Sequence, residues 1–383
     1  TPATILDTAI TNTFAALTGS ITATDVDTGD TLTYGASGAT VATGTATLTG
    51  TYGSLAINTT TGGYTYTVNA AAVNALNVGQ NVSDTFTVTA TDSHAAQATQ
   101  ALVFNVTGAN DTPIVTAVTT PATILDTAIT NTFAALTGSI TATDVDTGDT
   151  LTYGATGATV ATGTATLTGT YGSLAINTTT GGYTYTVNAA AVNALNVGQN
   201  VSDTFTVTAT DSHAAQATQA LVFNVTGAND TPIVTAVTAP ATILDTAITN
   251  TFAALTGSIT ATDVDTGDTL TYGATGATVA TGTATLTGTY GSLAINTTTG
   301  GYTYTVNAAA VNALNVGQNV SDTFTVTATD SHAAQATQAL VFNVTGANDT
   351  PIVTAVTTPA TILDTAITNT FAALTGSITA TDV

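Results

Sequence analysis

In the stretch Asp84–Asp92, DTFTVTATD, threonines alternate with Phe86, Val88 and Ala90, and the run closes on an acid. A period of two is the signature of a strand with one face in a core and one in water. Working outward, ATQALVFNVT (98–107) reads as its neighbour. The segments 54–58 and 64–68 flank the turn-rich TTTGG as a hairpin, and 20–24, 31–34 and 43–49 supply further strands. Ile114–Val118 follows Pro113 and opens the next domain, while AAAVNAL (70–76) is the one helical stretch. Seven or so strands in about 120 residues, separated by Gly, Asn and Asp turns, predict an all-β, Greek-key sandwich of immunoglobulin-like type.

The pattern recurs. PATILDTAITNTFAALTGSITATDV starts at Pro2, Pro121, Pro240 and Pro359, 119 residues apart each time. A unit of this length can bury its own core, so the chain reads as a tandem array of independent domains. The expected boundaries are 1–111 (its first strand partly missing), 112–230, 231–349 and the start of a fourth repeat at 350–383. The chain opens on Thr1 and stops at Val383 inside a repeat, so it reads as a window on a larger protein. It contains no apolar run of the ~20 residues a membrane span needs.

Composition narrows the chemistry. The 383 residues include no Lys, no Arg and no Cys, and 23 acids, all Asp, for a formal charge of −23. Nucleic acid is excluded as a partner, because phosphate binding rests on Lys and Arg. A hydrophobic content of 43% and a mean hydropathy of +0.34 argue for a folded chain rather than a disordered polyanion. Without disulfides or internal cations, acids held near a core point to bound metal. The abundant Thr suits strands; its columns also suggest an ice-binding face.

Three acidic clusters recur: Asp25, Asp27 and Asp30 in TATDVDTGDTLTY, Asp92 in TATDSH, and Asn110 and Asp111 in GANDTP. Calcium takes six to eight oxygens from closely spaced carboxylates, amides and carbonyls. An Asp-x-Asp pair before Gly presents two carboxylates on one side of a turn, and Pro113 stiffens the linker. Asp30 either ligates or caps the turn. Asp7 and Asp84 read as turn residues. Ser93, His94 and Asp92 are adjacent on one turn and so lack the geometry of a catalytic triad. The N-x-S/T sequons at Asn58, Asn81, Asn105 and Asn110 are expected by chance in a Thr-rich chain.

TATDVDTGDTLTY resembles the DxDxGxN segment of cadherins, TATD their strand-end Asp, and GANDTP their inter-domain DxND linker. The whole unit is similar to bacterial VCBS-type, cadherin-like adhesin repeats. It carries GTYGSLAINTTTGGYTYTVN, AVNALNVGQNVSDTFTVTATDS and FNVTGANDTP in that family's order across nearly all 119 residues. The resemblance implies calcium sites shared across junctions. Asn110 and Asp111 should meet Asp144, Asp146 and Asp211; Asn229 and Asp230 should meet Asp263, Asp265 and Asp330; Asn348 and Asp349 should meet Asp382. The chain has no Glu to match the cadherin Glu ligands, and Thr31 stands where the motif's last Asn would be, so one ion per junction is expected.

The functional expectation is a non-enzymatic structural extender, the stalk of an extracellular, calcium-braced adhesin or surface fibre of a bacterial cell or biofilm matrix. Its partners are neighbouring repeats and, in a fibre, copies of itself. The alternatives are a repeat module that binds glycan or ice, and a self-assembling filament whose subunits exchange the PIVTAVTTPATILD segment.

Overall fold

Alternating Thr and apolar residues fold here into strand after strand, with helix confined to single turns. The computed structural model describes residues 3–8, 12–128, 130–246, 250–364 and 370–382. The chain divides into two compact units. One is made of Thr1–Ile124, Phe133–Asn188 and Val201–Val225, the other of Leu125–Thr132, Ala189–Asn200 and Thr226–Val383. The first repeat lies in the first unit and the third in the second, and each of these repeats folds as a β-sandwich.

In the first unit the first repeat runs β1 (Ala3–Leu6), β2 (Leu17–Ser20), β3 (Thr33–Ala36), β4 (Thr40–Ala42), β5 (Thr45–Thr49), β6 (Gly53–Asn58), β7 (Gly63–Val68), α1 (Ala70–Val73), β8 (Asn81–Thr91) and β9 (Gln97–Thr107). One sheet has the order β1-β9-β8-β3 and the other β2-β7-β6-β5-β4. The stretch that decided the fold lies in β8, paired antiparallel with β9 from Asn81↔Thr107 to Thr91↔Gln97. The expected hairpin joins β6 to β7, its turn held by Asn58 Oδ1, which accepts from Thr60 and Thr61 N–H. Gly62 in that turn has φ +71, and a Cβ there would collide with the Ile21 carbonyl.

Several features depart from expectation, and the strands expected at 20–24 and 31–34 lie instead at Leu17–Ser20 and Thr33–Ala36. Thr40–Ala42 is a strand, the outer partner of β5. Residues 3–6 also form a strand, paired parallel to β9 with Leu6 opposite Thr107. The helix is shorter than AAAVNAL: Asn69 caps it at Ala70 and Asn74 is already its C-cap.

The PIVTAV segment pairs within its own repeat. In the first unit Ile114–Val118 lies antiparallel to Leu136–Thr143, with a bulge between Val115 and Ala117. In the second unit Ile233–Val237 pairs with Leu255–Thr262 in the same way. After Pro240, which cannot continue a central strand, Ile243–Leu244 crosses to the other sheet and runs parallel to Gln335–Thr345.

The sandwiches of the first and third repeats are filled by stacked rings. Tyr66 lies on Phe104 with centroids 3.9 Å apart, and Phe86 meets both edge-on. Tyr304, Phe342 and Phe324 repeat the set in the second unit. Asp84 sits in this core as a buried strand residue rather than the turn residue expected. Its carboxylate accepts from Thr51 N–H at 2.9 Å, Tyr52 N–H at 3.0 Å and Tyr66 OH at 2.7 Å. A buried charge persists only when its oxygens are so satisfied. Burial, and then the bond to Asp84, push the Tyr66 phenol well above its usual range.

Candidate metal centre

The Asp-x-Asp loop is locally encoded. In the first unit Asp144 Oδ1 accepts from Asp146 N–H at 3.0 Å, an Asx turn that leaves Asp144 Oδ2 to point elsewhere. Gly148, at φ +94, lets the chain reverse. At the end of the long strand, Asp211 Oδ1 gathers the N–H groups of His213 and Ala215 at 2.8 and 2.9 Å, so its other oxygen is displayed.

The linker Asn110–Asp111 lies against both. Asn110 Nδ2 donates to Asp211 Oδ2 at 2.8 Å, and Asp111 N–H donates to Asp146 Oδ2 at 2.7 Å. In the second unit Asn229 Nδ2 reaches Asp330 Oδ2 at 2.8 Å, and Asp230 N–H reaches Asp265 Oδ2 at 2.8 Å. Asp263 Oδ1 again holds the Asp265 N–H.

What these bonds leave over is more telling. Asn110 Oδ1, both Asp111 oxygens, Asp144 Oδ2 and Asp146 Oδ1 are buried without a hydrogen-bond partner. The same five atoms are orphaned at Asn229, Asp230, Asp263 and Asp265. An orphaned buried acceptor costs about 1–3 kcal/mol, and more when charged. Asp111 is 1% exposed and its carboxyl is pushed up to about 6, by burial first and then by Asp7, Asp146 and Asp144. Asp230 is pushed up to about 6 by burial and then by Asp126, Asp265 and Asp263.

Those causes point to a residue the sequence reading misplaced. Asp7, read as a turn residue, and its counterpart Asp126 do bind their own turns, but each also faces the linker acid. The parallel pairing of β1 with β9 continues as Asp7 N–H donates to the Thr107 carbonyl at 3.0 Å. Asp7 Oδ2 then accepts from Ala109 N–H at 3.4 Å. In the second unit Asp126 takes the Ala228 N–H at 3.4 Å in the same manner. The recurrence of ILDTAIT ahead of every repeat was the available signal.

Asn348 and Asp349 repeat the linker. Asn348 Nδ2 donates to the Asp349 carbonyl at 3.1 Å, and both Asp349 carboxylate oxygens are buried without a partner. Burial, then Asp245 and Asp382, push that carboxyl upward. Asp25, Asp27 and Asp92 gather on one loop cluster but meet no Asn-Asp linker. Asp25 Oδ1 holds the Asp27 N–H, Asp92 holds His94 and Ala96 N–H, and Asp27 is exposed where Asp146 is 4% exposed.

Asp30 and its counterparts serve the neighbouring loop. Asp149 accepts Ser212 Oγ–H at 2.8 Å and lies 3.3 Å from His213 Nδ1. The serine proton is committed to that carboxylate rather than to the imidazole, so Ser, His and Asp form no nucleophile–base–orienter relay.

The donor set is all oxygen: carboxylates and amide carbonyls, with no thiolate and with His turned to Asp149. That chemistry suits a hard cation of high coordination number, calcium above zinc. The residues present fit such an ion.

The family model for the bacterial cadherin-like domain matches residues 2–108, 110–227 and 229–346. No curated protein matches. Similar solved structures include the extracellular domain of protocadherin GammaB4, at 15% identity and a TM-score of 0.38. That match covers 91% of this chain and 49% of the protocadherin, so the chain spans about half the length of that relative. Human CDH23 EC21-23 matches at 18% identity and a TM-score of 0.34, covering 90% of this chain and 97% of that one. The titin I-band fragment I67-I69 matches at 8% identity and a TM-score of 0.26, covering 91% and 95%.

Proposed function

The chain belongs to the bacterial cadherin-like domain family, and from that premise we propose that it is an extracellular stalk whose repeats are braced by calcium at their junctions. The observation that carries this reading is the convergence of orphaned buried oxygens at each linker. At the first junction Asn110, Asp111, Asp144, Asp146 and Asp211 would hold the ion, with Asp7 beside them. At the second, Asn229, Asp230, Asp263, Asp265 and Asp330 would do so, with Asp126 beside them. Asn348, Asp349 and Asp382 begin a third. Asp25, Asp27 and Asp92 are the counterparts of these acids in the first repeat.

Bound there, the ion would supply positive charge that the chain, with neither Lys nor Arg, otherwise draws only from protonated His. The protein's own residues do the positioning. Asp144 shapes the loop, the backbone N–H of Asp111 orients Asp146, and Asn110 orients Asp211. Domain boundaries at 111/112, 230/231 and 349/350 follow, with each linker acid shared forward. Near-identical modules suit a stalk, in which any copy is interchangeable and reach grows with number. Surface adhesion or a biofilm matrix is the setting that fits such a part.

The test is melting of the chain with calcium and with excess chelator. A rise in melting temperature on adding millimolar calcium, the range of weak extracellular sites at about 10⁻⁴–10⁻³ M, supports the reading. An unchanged melting curve contradicts it.

A further inference from the structure

The loop that follows α1 supplies no acid to the cluster, though Asn77 Oδ1 in it is buried without a hydrogen-bond partner, and it touches the next repeat directly. After the helical turn the chain is tightened by Leu76 N–H bonding to the Val73 carbonyl at 3.1 Å and Gln80 N–H to the Asn77 carbonyl at 3.1 Å. The Gln80 side chain closes the ring by accepting from Asn77 N–H at 2.8 Å. The start of the linker is seated on this loop. Gly108 N–H donates to the Gln80 carbonyl at 2.9 Å, and a Cβ at Gly108 would lie 2.5 Å from the carbonyls of Leu76 and Asn77. Loop and linker therefore form one rigid platform.

From that platform two bonds reach Thr147, the residue after Asp146. Thr147 N–H donates to the Ala75 carbonyl at 3.2 Å, and Asn77 Nδ2 donates to the Thr147 carbonyl at 3.1 Å. Both main-chain groups of Thr147 are thus taken by the preceding repeat, as in one rung of a sheet. The second unit repeats the arrangement. Thr266 N–H meets the Ala194 carbonyl at 3.2 Å, and Asn196 Nδ2 meets the Thr266 carbonyl at 3.2 Å. Gly227 is packed against Asn196 and Leu195 as Gly108 is against Asn77 and Leu76.

We infer that Asn77 and Asn196 are positioning residues of a clasp that docks consecutive repeats without metal. Every bond in the clasp joins neutral amides and carbonyls, so none depends on neutralising a carboxylate. By fixing Thr147, the clasp sets the place of the adjoining Asp146, whose Oδ2 takes the Asp111 N–H. The Asp-x-Asp loop is then held against the linker before an ion arrives, although five carboxylates around it repel. Pre-ordering of this kind lowers the entropy lost on binding. The clasp is separate from the calcium reading: it predicts order where that reading, taken alone, predicts a free hinge.

The chain has no cysteine, so nitroxide labels can be placed uniquely at Val41→Cys and Val160→Cys, both exposed and both in the first unit. Pulsed electron spin resonance then reads the distance distribution in excess chelator. The clasp predicts one bounded distribution in the parent. It should widen at least about twofold in Asn77→Ala and in Asn77→Asp, which keeps the side-chain shape but replaces the donor with an acceptor. Asn196→Ala, at the other junction, should leave it unchanged. A parent distribution as broad as that of Asn77→Ala overturns the clasp, as do two Asn77 variants that stay as narrow as the parent. Should calcium fail to narrow any of them, the metal reading falls while the clasp stands.

Discussion

The backbone N–H of Asp111 donates to Asp146 Oδ2 at 2.7 Å, while both carboxylate oxygens of Asp111 remain buried without a donor. One acid thus binds the next repeat through its main chain and directs its charge at the same carboxylate it is bound to. The pairing is repulsive unless a cation offsets the charge.

Asp144→Ala with Asp146→Ala removes two of the five residues proposed to hold the ion at the first junction. Calcium affinity there should fall at least about tenfold, with the second junction unaffected, because removing ligands leaves the rest uncompensated. Titration calorimetry on the double variant checks this through the number of ions bound.

Asp126→Ala should weaken calcium binding at the second junction. Its Oδ2 takes the Ala228 N–H, its Oδ1 the Thr127 N–H and Asn131 Nδ2, and its charge acts on Asp230. Asp126→Asn keeps the shape and loses the charge, so it should weaken calcium and cost less in folding than Asp126→Ala, which forfeits about 1–3 kcal/mol in orphaned donors. Equal calcium binding by Asp126→Asn and the parent would leave this acid a turn residue after all.

How the sequence concealed Asp126 is instructive. The 119-residue period, the strands and the Asn-Asp linker were legible because each is a local pattern. The place of Asp7, Asp126 and Asp245 was not, because it depends on parallel pairing between residues some hundred positions apart. Once Leu244 lies opposite Thr345, the next residue, Asp245, falls beside the linker that follows Thr345. Asp84 was misread for a related reason. An acid among threonines looks like a turn until Tyr66 of the facing sheet, and Thr51 and Tyr52 of the turn between β5 and β6, arrive to satisfy it. Asn77 carries no charge, and nothing local marks its reach to Thr147.

Tyr304→Phe removes the phenol that donates to buried Asp322 at 2.6 Å without changing ring packing on Phe342. The bond is to a charged group, so the loss should be about 1.5–3 kcal/mol. Denaturant unfolding of the chain reads it as a lower midpoint for the third repeat. Calcium affinity should not change, since Asp322 lies in the core.

The pH dependence should invert with metal. Without calcium, the carboxyls of Asp111 and Asp230 stand at about 6, raised above their unfolded value of 3.8, so the folded state holds the proton more tightly. Their stabilising contribution is complete below pH 3.8 and is lost as pH rises through about 6. The chelated protein should therefore melt lower at pH 7.5 than at pH 5. With calcium, which needs these groups ionised, the protein should melt higher at pH 7.5 and lose that advantage on acidification. Melting curves at both pH values, with and without calcium, decide the sign.

Equilibrium calcium binding to the full chain tests the central claim most directly. Dialysis against labelled calcium should show saturable uptake in the range of about 10⁻⁴–10⁻³ M, with no fewer than one ion for each of the two complete junctions. Asp111→Ala with Asp230→Ala should reduce it sharply. Uptake that never saturates, or that the double variant leaves intact, would contradict the account.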